Sequence, residues 1–283
     1  MLIAVNAMGG LPVEASDGAI PAALGALEAD APVSILVHGF RYAPRHPHDD
    51  PHAGILGPDG WPRRLGFGRG QRGLCIGFGW DGSGTIWQAN RRAEAAGRAL
   101  ATLIRQLDRR GAPVSILAHS LGARVALAAL PHLPPRAITR MALLAGAEFR
   151  DTAERNLTGT ETEVLNITSR ENDSYDMLYE NVIAPLSGRR TISTLPSGPR
   201  VATVQIDAAC HRDALAELGF PTRPPERRIC HWSCYLRPGM FRLYRRFLLD
   251  PQALPLSTLR AALPDEVTPR WSAIWSGAQP LRA

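Results

Sequence analysis

Lysine is absent from this chain: all 32 basic residues are arginine, set against 26 acidic ones for a formal net charge of +6. That absence excludes a P-loop lysine, a Schiff-base lysine and a Ser/Lys dyad. Long apolar runs are missing too. The longest stretch without an acidic or basic residue is 13 residues, too short to span a bilayer. The opening MLIAVNAMGGLPVEAS has no basic n-region and its apolar run stops at Asn6, so it reads as a first β-strand rather than a secretory leader. A cytoplasmic location is the resulting expectation. Cysteine is scarce, four in 283 residues, which fits reduced thiols, with a Cys230–Cys234 bridge as the alternative. The arginines come as scattered pairs such as Arg63-Arg64 and Arg245-Arg246. There is no basic run of five or six, no helix-turn-helix signature and no RNP-type aromatic motif, so no nucleic-acid partner is expected.

What is present is an alternation of short β-rich runs with helix-compatible segments, the pattern of a mostly parallel sheet covered on both faces. The expected strands are Leu2 to Asn6, Val33 to Val37, Leu74 to Phe78, Val114 to Ala118, Met141 to Leu144, Val164 to Thr168 and Val201 to Ile206. Apolar spacing predicts helices over Thr85 to Leu107, Leu121 to Leu130 and Met240 to Leu249. The whole chain, 1–283, reads as one α/β domain. Residues 41–73, rich in Arg, His, Pro and Gly, form an insertion too long to be an idle loop, and lining a pocket is the role assigned to it. Residues 251–283 form a C-terminal extension in which Trp271 and Trp275 suggest a docked tail helix.

One heptapeptide occurs almost twice: PVSILVH at 32–38 and PVSILAH at 113–119. The second copy runs into Ser120-Leu121-Gly122, which fits a strand, a sharp turn and a helix with Ser120 at the apex. In such a nucleophile elbow the neighbours two residues away must be small, and Ala118 and Gly122 are. Alanine in place of the first glycine of G-x-S-x-G departs from the pattern while keeping its geometry. The first copy runs into His38-Gly39-Phe40. A loop of this type beside the elbow can present the Phe40 amide to a reacting carbonyl, with the Leu121 amide as the second donor.

On VHGF, AHSLGA, ITSRENDSYD and CHWSCY, spread over about residues 30–250, the sequence resembles the α/β-hydrolase superfamily, in particular its uncharacterised bacterial esterase- and lipase-like members. The resemblance implies a doubly wound, mostly parallel α/β sheet of the hydrolase type with an insertion after the oxyanion-loop strand. It implies Asp173 as triad acid and His231 as general base beside Ser120. Glu148, Asp151 and Asp176 remain alternatives for the acid, and His211 for the base. The expected activity is cleavage of a carboxylic ester through an acyl-enzyme, acting on a small-molecule acyl substrate without cofactor or metal. Thioesterase or acyltransferase chemistry on the same triad, and a non-catalytic ligand-binding protein of this fold, are the alternatives.

Two decoys compete. Gly77 to Gly82 satisfies G-x-G-x-x-G after a strand, but no strand with an acidic end follows at the spacing a dinucleotide site needs. Cys210, His211, Cys230, His231 and Cys234 match structural zinc spacing poorly, and the His/Asp-rich stretch His46 to His52 reads as a polar loop rather than a metal site.

Overall fold

The two copies of the heptapeptide lie side by side at the centre of one sheet. In the computed structural model, which describes residues 1–28, 31–70, 72–108, 114–265 and 267–272, the strands are β1 (Leu2–Met8), β2 (Leu11–Glu14), β3 (Val33–Val37), β4 (Leu74–Gly79), β5 (Val114–His119), β6 (Arg140–Leu144), β7 (Glu163–Thr168) and β8 (Val201–Gln205). They pair in the order β2-β1-β4-β3-β5-β6-β7-β8. Every pairing is parallel except β1 with β2. β3 and β5 are in strict register, Val33 opposite Val114 through Val37 opposite Ala118, and the Ser34 and Ser115 hydroxyls hydrogen-bond across them at 2.8 Å. The repetition therefore reflects one demand met twice: two fully buried neighbours with the same packing on each face.

The helices are α1 (Ala19–Ala26), α2 (Trp61–Arg64), α3 (Ile86–Asp108), α4 (Leu121–Ala129), α5 (Arg150–Leu157), α6 (Asp173–Ile183), α7 (Ala209–Glu217), α8 (Ser233–Leu236), α9 (Met240–Leu249) and α10 (Leu256–Ala262). They cover both faces of the sheet. On one face Val33, Ile35, Val37, Val114 and Ile116 pack with Ala89, Ala93, Ala96, Leu100 and Leu103 of α3 and with α4; on the other, Leu36 and Leu117 pack with Leu243, Tyr244 and Phe247 of α9. The fold class is the doubly wound, mostly parallel α/β architecture that the alternation of elements implied.

The short strand β2 has no counterpart in the sequence reading. Its turn, Gly9-Gly10, has positive φ at both residues (56° and 82°), the backbone of a two-residue hairpin that glycine enters without steric cost. In the C-terminal extension, α10 buries Leu256 and Leu259, and Arg270 and Ser272 reach back to α6. Trp271 is partly exposed, whereas Trp275 lies outside the described residues. Among the described residues no helix is long and apolar enough to cross a membrane.

Candidate functional site

Ser120 sits where β5 turns into α4, with φ 55° and ψ −126°. A residue with a side chain occupies this region only when its surroundings enforce it, at a cost of about 1–3 kcal/mol. The restraints are visible: Ser120 N–H donates to Leu144 O at 3.0 Å, and Ser120 O accepts from Ala123 N and Ala147 N at 2.9 and 3.0 Å. Gly122 is a steric requirement of the same turn, since a Cβ there would lie 2.5 Å from Val37 O and 2.6 Å from His38 O. Strand β3 and helix α4 can approach this closely only because the second position after the serine has no side chain.

The His38-Gly39-Phe40 loop abuts this turn. A Cβ on Gly39 would fall 2.7 Å from Ser120 Cβ and 3.3 Å from its Oγ, so the loop backbone passes directly against the serine. His38 is fully buried and serves the loop as a strut: its Nδ1 donates to Gly39 O at 2.9 Å and its Nε2 accepts from Trp80 N–H at 3.0 Å. That pattern requires a neutral imidazole, and burial accordingly lowers its pKa to about 3. Within a trans peptide the carbonyl and the following N–H point in opposite directions. Fixing Gly39 O on His38 therefore turns the Phe40 N–H away from His38. Leu121, as the first residue of α4, has an amide with no acceptor within the helix.

His231 lies against the residue that precedes Ser120. Its ring centroid lies 4.6 Å from that of His119, the residue before the serine, and His119 Nε2 donates to His231 O at 3.1 Å. The loop is further tied by Cys230 N–H donating to Glu171 O at 2.8 Å and by the Tyr175 ring, stacked on His231 at 4.6 Å. Burial, and then the nearby His119, hold His231 well below its ordinary pKa, and burial lowers His119 to about 4. Both imidazoles are thus neutral at pH 7.

The group on His231 Nδ1 is Asn172 Oδ1, at 2.6 Å. An amide oxygen only accepts, so Nδ1 carries the hydrogen and Nε2 is left bare. Asp173, the acid expected from the resemblance, is not the group hydrogen-bonded there. The Asp173 carboxylate is buried against the C-terminal segment, where it accepts from Arg270 Nε, from Ser272 N at 2.8 Å and from Ser272 Oγ at 2.6 Å. Burial pushes this carboxyl up, but the hydrogen bonds from Ser272 and Arg270 outweigh that and leave it below the usual range. The reason is rotational. Ser169 caps a 3-10 turn over Arg170–Asn172 that runs into α6, and neighbouring residues on such a turn point about 120° apart, so Asn172 and Asp173 do not face the same way.

The other candidates are committed elsewhere. Glu148 is 1% exposed and takes two hydrogen bonds from Arg124 Nη1 (2.9 and 2.7 Å) and one from Phe149 N. Asp151 is paired with Arg189 at the surface. His211 is buried in α7, its Nδ1 accepting from Gln205 N–H at 3.1 Å. Asn172 and His119 were not singled out by the sequence reading. His119 stands next to Ser120 in the motif itself, which is a signal that was available; Asn172 had only its adjacency to Asp173.

Two exposed rings flank His231, Tyr175 at 4.6 Å and Trp232 at 6.1 Å, and they lie 6.4 Å from each other. From the 41–73 segment, Trp61 packs edge-on against Tyr235 and His119 (5.3 and 6.3 Å). All four cysteines are free thiols. The G-x-G-x-x-G stretch is explained by packing: Gly77 and Gly79 are strand residues pressed against His52, and Trp80 is buried in a stack on His38. Cavities of about 820 and 650 Å³ lie elsewhere, the first lined by Arg242, Arg245 and Arg246, the second between the Gly9-Gly10 turn and α3.

No protein-family model matches the chain, and no curated protein matches it. Among solved structures it is similar to a Bacillus licheniformis lipase in its propeptide form, with a TM-score of 0.37 and 13% identity. The match covers 62% of this chain and 46% of the lipase chain, less than half of that protein's length.

Proposed function

We propose that the protein is a serine hydrolase that cleaves a carboxylic ester through an acyl-enzyme. Ser120 is the nucleophile, His231 the general base, Asn172 the group that orients the imidazole, and the Phe40 and Leu121 amides the oxyanion donors. The observation that carries this reading is the enforced backbone of Ser120 at φ 55°, ψ −126°, directly against the Gly39 loop. Such a conformation presents a side chain at a strand end, and its cost fits a side chain that is used.

In the proposed reaction His231 Nε2 takes the hydroxyl proton as Ser120 Oγ attacks the ester carbonyl. The negative charge that develops on the carbonyl oxygen is met by the two amides; one donor of this kind is worth about 3 kcal/mol in the transition state. Collapse of the adduct expels the alcohol, which leaves with the proton from His231. Water then attacks the acyl-enzyme with the same base, releasing the acid and restoring Ser120. Tyr175 and Trp232 beside His231 supply an apolar surface for the acyl or alcohol group.

A fluorophosphonate probe tests the reading. It should form one adduct, on Ser120, abolished in Ser120→Ala and slowed by at least about 100-fold in His231→Gln. A panel of p-nitrophenyl esters of graded chain length would then define the acyl preference. No adduct on Ser120 and no ester turnover would assign the protein to the non-catalytic, ligand-binding class.

A further inference from the structure

Beside the proposed base, two consecutive residues of one loop meet two consecutive residues of another. Glu171 O accepts from Cys230 N–H at 2.8 Å, and the next residue, Asn172, accepts from His231 Nδ1 through its Oδ1 at 2.6 Å. The first contact joins backbone to backbone, so it sets the spacing at which the second forms. The same two loops are joined once more, by a buried ion pair that the proposed reaction leaves unused. It consists of the Glu171 carboxylate and the Arg237 guanidinium, side chains 6% and 4% exposed.

Arg237 follows α8, the short helix that begins two residues after His231, and its N–H closes that helix on Ser233 O at 3.0 Å. Its guanidinium forks: Nη2 donates to Glu171 Oε2, and Nη1 donates to the carbonyl of Ile206, the residue after β8. Glu171 is fixed in turn by Ser169, whose Oγ donates to Oε2 at 2.9 Å and accepts from Glu171 N–H at 3.1 Å. One arginine thus ties the segment that carries His231 to the ends of two neighbouring strands, to β7 through the turn that bears Asn172 and to β8 through Ile206. The planar fork makes both bonds at a fixed angle, which a single ammonium could not do.

Stability does not explain such a pair. Taking two charges out of water costs roughly what their attraction returns, and apolar side chains of similar volume often do as well or better. What an ion pair supplies in addition is direction. We propose that Glu171 and Arg237 are positioning residues for the proposed base: their ion pair locks the Arg170–Asn172 turn to the segment 230–232, and so holds Asn172 Oδ1 on His231 Nδ1 and the imidazole in one orientation. Neither residue touches the substrate. Both act through the Asn172–His231 contact.

The effect on turnover rests on the hydrolase reading, whereas the geometry does not, and the test keeps the two apart. Arg237→Met leaves the Glu171 carboxylate buried without its cation and should lower the urea midpoint. Glu171→Met combined with Arg237→Met removes both charges and should recover most of that stability. Its kcat on a p-nitrophenyl ester should nonetheless stay about 100-fold below wild type, the cost of a misplacement of about 1 Å, with KM little changed. Glu171→Gln keeps an acceptor for Arg237; it should be less stable than the wild type yet hold kcat per folded molecule within about threefold. Activity then follows the hydrogen bond and not the stability, which a merely structural pair would not produce. Hydrogen–deuterium exchange reads the segment without reference to chemistry: the amides of 230–232 should exchange about tenfold faster or more in the double variant, and at the wild-type rate in Glu171→Gln. A double variant with wild-type kcat, a kcat that falls in step with the urea midpoint across the three variants, or unchanged exchange at 230–232 would overturn the proposal. A wild type with no Ser120 adduct and no ester turnover would overturn the hydrolase reading alone, with the exchange rates still deciding the role of the ion pair.

Discussion

Gly39→Ala is the sharpest single perturbation of the proposed oxyanion loop. Gly39 is free of positive φ, so alanine meets no backbone penalty there; the cost is contact. The new Cβ would lie 2.7 Å from Ser120 Cβ and 3.0 Å from His119 O, whereas carbon atoms pack at about 3.5–4.0 Å. Loop and elbow must therefore part by about 1 Å. A displacement of that size at reacting atoms costs about 100-fold, and loss of an oxyanion donor costs about 100- to 1000-fold in kcat. The expected result is a fall in kcat of at least about 100-fold on a p-nitrophenyl ester, with a comparable loss in the rate of fluorophosphonate labelling and a smaller change in KM. Thermal unfolding followed alongside separates this from misfolding. Gly25→Ala is the matched control, because a Cβ there meets nothing within 4 Å and the position is an exposed one in α1. It should keep full activity and gain about 0.5–1 kcal/mol in stability. A Gly39→Ala protein with kcat within threefold of wild type would refute the placement of the donor.

Other consequences follow from the same geometry. Asn172→Leu removes the acceptor on His231 Nδ1 and should lower kcat about 100-fold or more at every pH, measured in steady state, with the Ser120 adduct still formed slowly. Glu148→Leu removes the acceptor of the half-buried Arg124 guanidinium and should cost about 1–3 kcal/mol in urea unfolding, with kcat per folded molecule unchanged; a selective loss of kcat would favour Glu148 as the acid. Stability should also fall in acid through the buried histidines. The unfolded chain protonates them below about pH 6.5, whereas the fold keeps His119 neutral down to about 4 and His38 to about 3. Each such proton costs about 1.4 kcal/mol per pH unit between those limits. His119→Gln should flatten the decline of stability between pH 6.5 and 4, read from urea midpoints.

The sequence by itself determined most of the sheet and the sharp turn at Ser120. Seven of the eight strands, the long helix α3 and the helix α9 are legible because their apolar patterns are local and uninterrupted. The turn at Ser120 is legible because the small residues it needs, Ala118 and Gly122, stand beside it in the chain; a Cβ on Gly122 would clash with Val37 and His38. Tertiary structure alone decided which residue stands behind His231. Asn172 and Asp173 are adjacent in sequence, and the choice between them depends on how the turn after β7 rotates. That rotation is set in part by Arg270 and Ser272, almost a hundred residues away, which draw the Asp173 carboxylate into the C-terminal segment. A carboxylate follows the nearest buried cation and donors, and no pattern in the neighbouring sequence reports where those will be.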